Sequence, residues 1–390
     1  MHSEIVRFLD EREAEMLQLL RDLALVQSGS YNKRGVDRVL NLVLGSLADG
    51  DVRATVVRQQ TYGNHLILSS AATHGDVPQV LICGHMDTVF PQGTDFRWFR
   101  EHDDRVNGPG VIDMKGGLVI IIYALKALES AGLLDSIPVQ VIMNSDEEVG
   151  SPSSSVLIEQ EARKSAFAFV LECGGMNGGV VTGRKGKLGL RLKVSGRAGH
   201  AAAAVQDKAS AVLELAHKIV AIEALNDPQR GISVNVGQVS GGIGPNTVPE
   251  RAEASVDVRY ITRDDRDELE GRIAAIVRRV VAPGTTAEIA PVSERPPMEQ
   301  TGQNRRLFQI VQSQAQELGQ TVHEEFRNGV SDANLIAGQN VPVVDGLGPI
   351  GDRDHSSDEF MVKESLLVRA RLFTLTLVRA WDLHERGGLF

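Results

Sequence analysis

Three short runs, residues 80–83, 138–143 and 166–171, are apolar almost from end to end. A strand that is apolar on both sides must be covered on both faces, as the strands of a parallel sheet are. Residues 116–131, between the first two runs, carry apolar side chains at helical spacing. Alternating strands and helices predict an α/β sheet with helices on both faces. Acids or histidines follow each run. Gly84-His85-Met86-Asp87 closes the first, Asn144-Ser145-Asp146-Glu147-Glu148 follows the second, and Glu172 ends the third. In open α/β sheets the carboxyl ends of the strands are where sites form.

The texture changes near Gly183. Residues 188–194 alternate apolar and polar, as a half-exposed antiparallel strand does. A helix is expected at 209–224, strands at 232–239 and 252–260, a second helix at 265–281 and a last strand at 286–292. That is the β-α-β-β-α-β order of a ferredoxin-like fold. Pro296-Pro297 punctuates its end. The expected division is therefore a larger α/β domain made of 1–183 and 297–390, with a small α+β domain, 184–296, inserted in it. In the larger domain, residues 3–26 predict one opening helix. Residues 56–59 and 66–70 predict two strands around a Gly63-Asn64 turn. His65 and His74 flank the second of these strands and are expected in turns.

A chain of 390 residues is long for one core and suits two domains. Its net charge of -10 argues against nucleic acid or an anionic membrane as the main partner. No apolar stretch approaches the roughly 18 residues needed to span a bilayer. The charged N-terminal segment lacks a signal-peptide core, so a cytoplasmic location is the default expectation. Cys83 and Cys173 make no disulfide framework and are expected as buried thiols.

The acids and histidines fit a two-metal site. Borderline metals take imidazole nitrogen and carboxylate oxygen, and a pair of them sharing one water makes a nucleophile at neutral pH. His85 and Glu172 would serve one ion, Glu148 and His355 the other, and Asp113 would bridge them. Glu147, beside Glu148 but free of metal, would be the general base. Asp87 can orient the His85 imidazole by accepting its second N–H. Taken singly, each residue has an ordinary explanation. Asp113 can be a helix N-cap, Glu147-Glu148 a solvated helix start, Glu172 a strand end meeting water and His355 part of a polar loop. The constellation rests on their order and context together.

Gly84-His85-Met86-Asp87-Thr88-Val89-Phe90-Pro91, Asp113-Met114-Lys115-Gly116-Gly117 and Ser145-Asp146-Glu147-Glu148 resemble the M20 family of co-catalytic zinc hydrolases. The glutamate carboxypeptidase (carboxypeptidase G2-like) branch is the best match. The resemblance runs from about residue 60 to 390. It implies two Zn2+ per chain, with Co2+ or Mn2+ fitting the same ligands. It also implies an aminopeptidase-like catalytic domain and a ferredoxin-like lid that pairs with a second copy. Glu172, rather than Asp, resembles the carboxypeptidase and deacylase members. Ser195-Gly196-Arg197-Ala198-Gly199-His200-Ala201 resembles the segment whose histidine stabilises the oxyanion. Gly241-Gly242-Ile243-Gly244-Pro245-Asn246 and Asp257-Val258-Arg259 resemble substrate-contacting segments. Arg259 and Asn246 are the candidates for a substrate carboxylate. An exposed strand arginine paired with Asp257 or Glu253 is the rival reading of Arg259. Ser331 and Asp332 match a further loop beside the site. After His200 the chain departs from the family pattern, running Ala201 to Ala204 and on through Val205-Gln206-Asp207-Lys208.

The implied activity is hydrolysis of an amide bond in a small peptide or N-acyl amino acid, with release of a C-terminal glutamate-like residue. An N-acyl amino acid deacylase of the acetylornithine or succinyl-diaminopimelate type would use the same ligands. A non-catalytic metal-binding protein on the same fold is the third reading.

Overall fold

The apolar runs lie side by side in a six-stranded mixed sheet. The structure, a computed structural model, describes residues 2–75, 77–203 and 208–390. Across the sheet the strands are Arg53–Val57, His65–Ser69, Val139–Asn144, Gln79–His85, Ser165–Val170 and Val343–Val344. The first two pairings are antiparallel and the other three parallel. The parallel register sets His85 opposite Asn144 and Cys83 opposite Val170. The chain segments that follow Asn144 and Val170 therefore leave the sheet on the same edge as His85.

Side-chain parity divides the two faces. Gly84 sits against Met114, Leu118 and Ile121, so the face shared by Val80 and Ile82 is covered by the helix Lys115–Ser130. That helix is buried along most of its length and packs against the helices Glu13–Ala24 and Ser365–Glu385. The helices Ser155–Ala162 and Asp332–Gly338 pack on each other and on Ser165–Val170.

Three local departures from the sequence expectations have physical causes. The opening segment is two helices, His2–Asp10 and Glu13–Ala24. Its apolar spacing runs on through the break, but the Arg12 guanidinium stacks over the Phe8 ring and donates to the Phe8 carbonyl, which closes the first helix. A helix not anticipated at all spans Lys33–Ser46. Asn32 caps it by accepting from Gly35 N–H, and Val36, Val39, Leu40 and Val43 line its buried face. His65 is not a turn residue. It is buried in its strand, with Ser145 Oγ at 3.0 Å from Nδ1 and Ser153 Oγ at 3.1 Å from Nε2.

The smaller unit comprises Arg184–Glu299 with Asn328–Val330, and the larger comprises the rest. Its sheet runs Ser233–Gly241, Arg251–Tyr260, Gly186–Ser195, Thr286–Arg295, all antiparallel. Helices Ala211–Glu223 and Arg263–Arg278 cover one face, so this is the ferredoxin-like arrangement. Leu188, Leu190, Leu192 and Val194 point into its core in strict alternation. The unit extends to Glu299 because Arg184 and Met298 exchange both main-chain hydrogen bonds where the chain enters and leaves it. Among the described residues no helix is long and apolar enough to cross a membrane.

Candidate metal centre

The larger unit gathers the expected ligands at one sheet edge. His85 is the last residue of its strand. Glu147 and Glu148 lie in one helical turn, Glu147–Val149, just beyond Val139–Asn144. Glu172 follows Ser165–Val170. Asp113 precedes the helix Lys115–Ser130, and its peptide bond to Met114 is cis. His355 lies between the paired strands Gly351–Asp352 and Phe360–Val362, with a left-handed φ of 59°. The DMKGG glycines have a packing cause. A Cβ at Gly116 would overlap the Val111 carbonyl, and one at Gly117 the Leu171 carbonyl. Only glycine lets this helix approach the strand end that carries Glu172.

Asp113 is the centre of the arrangement. Its Oδ1 lies 3.1 Å from His85 Nε2 and its Oδ2 lies 2.9 Å from His355 Nε2. Glu172 Oε1 is 3.7 Å from the first of those nitrogens, and Glu148 Oε2 is 3.4 Å from the second. Ligand atoms of His85, Asp113 and Glu148 all lie within 4.8 Å of one another. The same holds for Asp113, Asp354 and His355, so Asp354 joins the candidates from an exposed position. His85 Nδ1 is 3.0 Å from the main-chain oxygen of Asp87 and 3.5 Å from its Oδ1. A proton on Nδ1 donated there leaves Nε2 with its lone pair toward the site.

The Asp87 carboxylate is buried and serves the neighbouring turn. It accepts from the N–H groups of Glu147 and Glu148, each at 3.2 Å, and from Ser30 Oγ at 2.7 Å. Glu359 is likewise buried. It accepts from the N–H groups of Gly110, Ile112 and Asp113 at 2.9, 3.0 and 3.3 Å. Asp332 accepts from Asn144 Nδ2 at 2.7 Å and Ser151 Oγ at 2.6 Å, and Ser331 caps the helix Asp332–Gly338. Neither Glu359 nor Ser30 stands out in the sequence. Each lies in a polar loop, and the partners of its side chain are 57 residues away or more.

The electrostatics are those of crowded anions. Burial and then the charge of Asp113 raise Glu148 to about 7. Burial and the charge of Asp332 push Glu147 well above the usual carboxylate range. Burial opposes charge on His85 as well, yet its contacts with Asp113 and Asp87 and the charge of Glu172 hold it well above an ordinary histidine. The Asp113 contact, then that of Glu148, takes His355 up to about 11. Burial acts against ionised Asp113, but the two imidazoles outweigh it and keep this carboxyl well below the usual range. Cys83 and Cys173 are free thiols, and burial raises both, Cys173 to about 12. Neither is a thiolate at neutral pH. The donor set of two imidazoles and several carboxylates, divided by the two oxygens of one aspartate, fits a pair of divalent cations.

In the smaller unit, His200 and Asn246 come together. The short strand Gly199–His200 pairs with Thr247–Val248, and Ala201 N–H donates to the Asn246 carbonyl at 2.9 Å. His200 Nδ1 accepts from Ala202 N–H at 3.2 Å, which puts the proton of the neutral ring on Nε2. Arg259 lies in the strand Arg251–Tyr260 and forms a two-point pair with Asp257, at 2.7 and 3.3 Å. Of the stretch that departs from the family pattern, residues 204–207 lie outside the described residues.

A sheet edge that gathers imidazoles and carboxylates around one shared aspartate is the mark of a metal-dependent hydrolase. The chain belongs to peptidase family M20/M25/M40, whose family model matches residues 81–379. It is 26% identical to carboxypeptidase G2 of Pseudomonas sp. (strain RS-16) over 376 residues, which are 95% of this chain and 89% of that one. It is also 26% identical to acetylornithine deacetylase of Proteus mirabilis over 304 residues, 72% and 74% of the two chains. An M20 family metallo-carboxypeptidase from Sulfolobus solfataricus has the same fold, with a TM-score of 0.73 over 93% of this chain and 98% of that one, at 18% identity.

Proposed function

We propose that this protein is a dinuclear carboxypeptidase that removes a C-terminal glutamate-like residue from a small peptide or N-acyl amino acid. The observation that carries the dinuclear reading is the division of Asp113, whose two oxygens face different imidazoles at 3.1 and 2.9 Å. His85, Glu172 and one oxygen of Asp113 would hold the first ion. His355, Glu148 and the other oxygen would hold the second. Zinc suits these ligands, and cobalt or manganese fits the same set. Bound by these residues, such ions would supply a water of lowered pKa and Lewis acidity toward the scissile carbonyl.

The side chains then do the remaining work. Glu147 takes the proton of the attacking water and returns it to the leaving amine nitrogen. Asp87 fixes the turn that presents Glu147 and Glu148. His200, with its Nε2–H free to donate, stabilises the oxyanion of the tetrahedral intermediate. Arg259 and Asn246 bind the carboxylate of the released residue, Arg259 exchanging Asp257 for the substrate. The smaller unit acts as lid and as the contact surface of a homodimer. The carboxypeptidase reading is supported by the likeness to carboxypeptidase G2 over 95% of the chain, and the preference for a glutamate-like residue rests on the motif resemblance to the glutamate carboxypeptidase branch. The likeness to an acetylornithine deacetylase supports an N-acyl amino acid deacylase as the second reading.

The test is elemental analysis of the purified protein, with release of a C-terminal glutamate assayed on the same sample before and after chelation. Two ions per chain and chelator-sensitive glutamate release are expected. Two ions without glutamate release would move the assignment to the deacylase. A protein that binds no metal after reconstitution would overturn the ligand set.

A further inference from the structure

Glu359 stands four residues after His355, and its side chain is inaccessible to solvent. One carboxylate oxygen accepts from Gly110 N–H, the other from Ile112 N–H and Asp113 N–H. All three amides belong to the turn that presents Asp113. The main chain repeats the link: Asn107 Nδ2 donates to the Glu359 carbonyl at 3.1 Å, and Phe360 pairs with Asn107 across antiparallel strands. The segment carrying His355 and the segment carrying Asp113 are therefore joined twice, although 242 residues of chain separate those two ligands. A carboxylate this enclosed cannot meet substrate. Its reach ends at the main chain of the residue that both metal positions share.

We infer that Glu359 is a positioning residue of the metal centre. By holding the main chain of 110–113 it fixes where the two oxygens of Asp113 point, and so sets the affinity of both metal positions at once. The inference rests on the reading of Asp113 as the bridging ligand. Outer partners of metal ligands tune metal affinity by about 10–100-fold. Gln is the informative replacement. It keeps the volume but turns one acceptor oxygen into an NH2 group, which must then face a backbone N–H. Asp keeps both acceptors and withdraws them by one methylene.

The experiment uses the full-length chain, stripped of metal, as wild type, Glu359→Gln and Glu359→Asp. Each is titrated with Zn2+ and with Co2+ by calorimetry. The visible absorption of the Co2+ form reports coordination geometry, and circular dichroism of the metal-free form reports folding. Glu359→Gln is expected to stay folded without metal, to bind both ions about 10–100-fold more weakly and to shift the Co2+ absorption. Glu359→Asp is expected to change both readouts in the same direction by less. Wild-type affinity and spectrum in whichever variant folds, even with a lowered Tm, would mark Glu359 as an ordinary structural cap and overturn the inference. Unfolding of both variants would also count against it, because positioning would then be inseparable from folding. If the wild type itself binds no metal, the bridging reading falls and takes the inference with it. Two ions in the wild type with unaffected variants would sink the inference alone.

Discussion

Glu147 and Glu148 are consecutive in one turn, yet their surroundings differ. Glu148 Oε2 approaches His355 Nε2 at 3.4 Å, while Glu147 is raised by burial and by the nearby Asp332 charge without a place in the ligand cluster. Glu147→Gln should therefore retain both ions and lose turnover by about 10²–10⁴-fold, the usual worth of a positioned acid–base group. Metal analysis beside kcat checks this, and a kcat within tenfold of wild type would remove Glu147 from the role. The titration of Glu148 and His355 gives a second expectation. Glu148 stands near 7 in the metal-free protein, above its ordinary value of 4.5, so the folded state holds the extra proton. Its contribution to stability is present at low pH and is lost as pH rises through about 7. His355, near 11, also carries a proton at neutral pH. A cation must displace both protons, so metal affinity should weaken as pH falls from about 11 and more steeply below about 7, where proton release per loaded site should grow. Calorimetry at pH 6 and 8 in buffers of different ionisation enthalpy measures that release. No release at pH 6 would contradict the assignment of these two ligands.

The helix Lys115–Ser130 ties sheet packing to the site. Gly117 faces the Leu171 carbonyl so closely that a methyl group has no room, and the next residue along that strand end is Glu172. Gly117→Ala should cost about 1–3 kcal/mol, as overpacking a tight contact does. It should also weaken metal binding, because relief of the clash moves the Glu172 segment. Urea unfolding and metal titration of the one variant test both parts, and wild-type stability would show that the contact relaxes without cost. At this scale the sequence is legible wherever a pattern is local. The apolar runs, the helix after Asp113 and the alternation at 188–194 needed only neighbours in the chain. Four of the acids and histidines were readable because His85, Glu147, Glu148 and Glu172 sit at or just beyond strand ends, which local pattern locates, and Asp113 because it directly precedes a helix. What escaped depends on distant partners. His65 looks like a turn residue until Ser145, 80 residues on, takes its ring nitrogen. Glu359 is one acid among several until it meets Gly110, 249 residues away. The helix Lys33–Ser46 is a different case, since its Asn32 cap and apolar spacing at Val36, Val39, Leu40 and Val43 were present in the sequence.

Each of the two units has its own hydrophobic cluster, and the candidate metal ligands all belong to the larger one. The smaller unit depends on a buried ion pair. Lys218 Nζ lies 2.8 Å from Glu214 Oε1, with both side chains almost inaccessible, and it also donates to the carbonyls of Ile276 and Arg279 at the end of the helix Arg263–Arg278. Glu214 in turn accepts from Val281 N–H at 2.9 Å and from Ala282 N–H. Removing one partner of such a pair strands a buried charge and typically costs about 3–5 kcal/mol. Lys218→Met should therefore lower the unfolding temperature of the smaller unit. A cation that binds only the folded larger unit should raise that unit's transition, by about 2.7 kcal/mol at a concentration a hundred times its Kd. Differential scanning calorimetry of the full chain, with and without metal and with and without Lys218→Met, separates the two effects. Two transitions are expected, one answering to metal and the other to Lys218. A single transition that moves with both perturbations would mean that the two cores unfold as one cooperative unit, with metal binding stabilising the smaller unit as much as the larger.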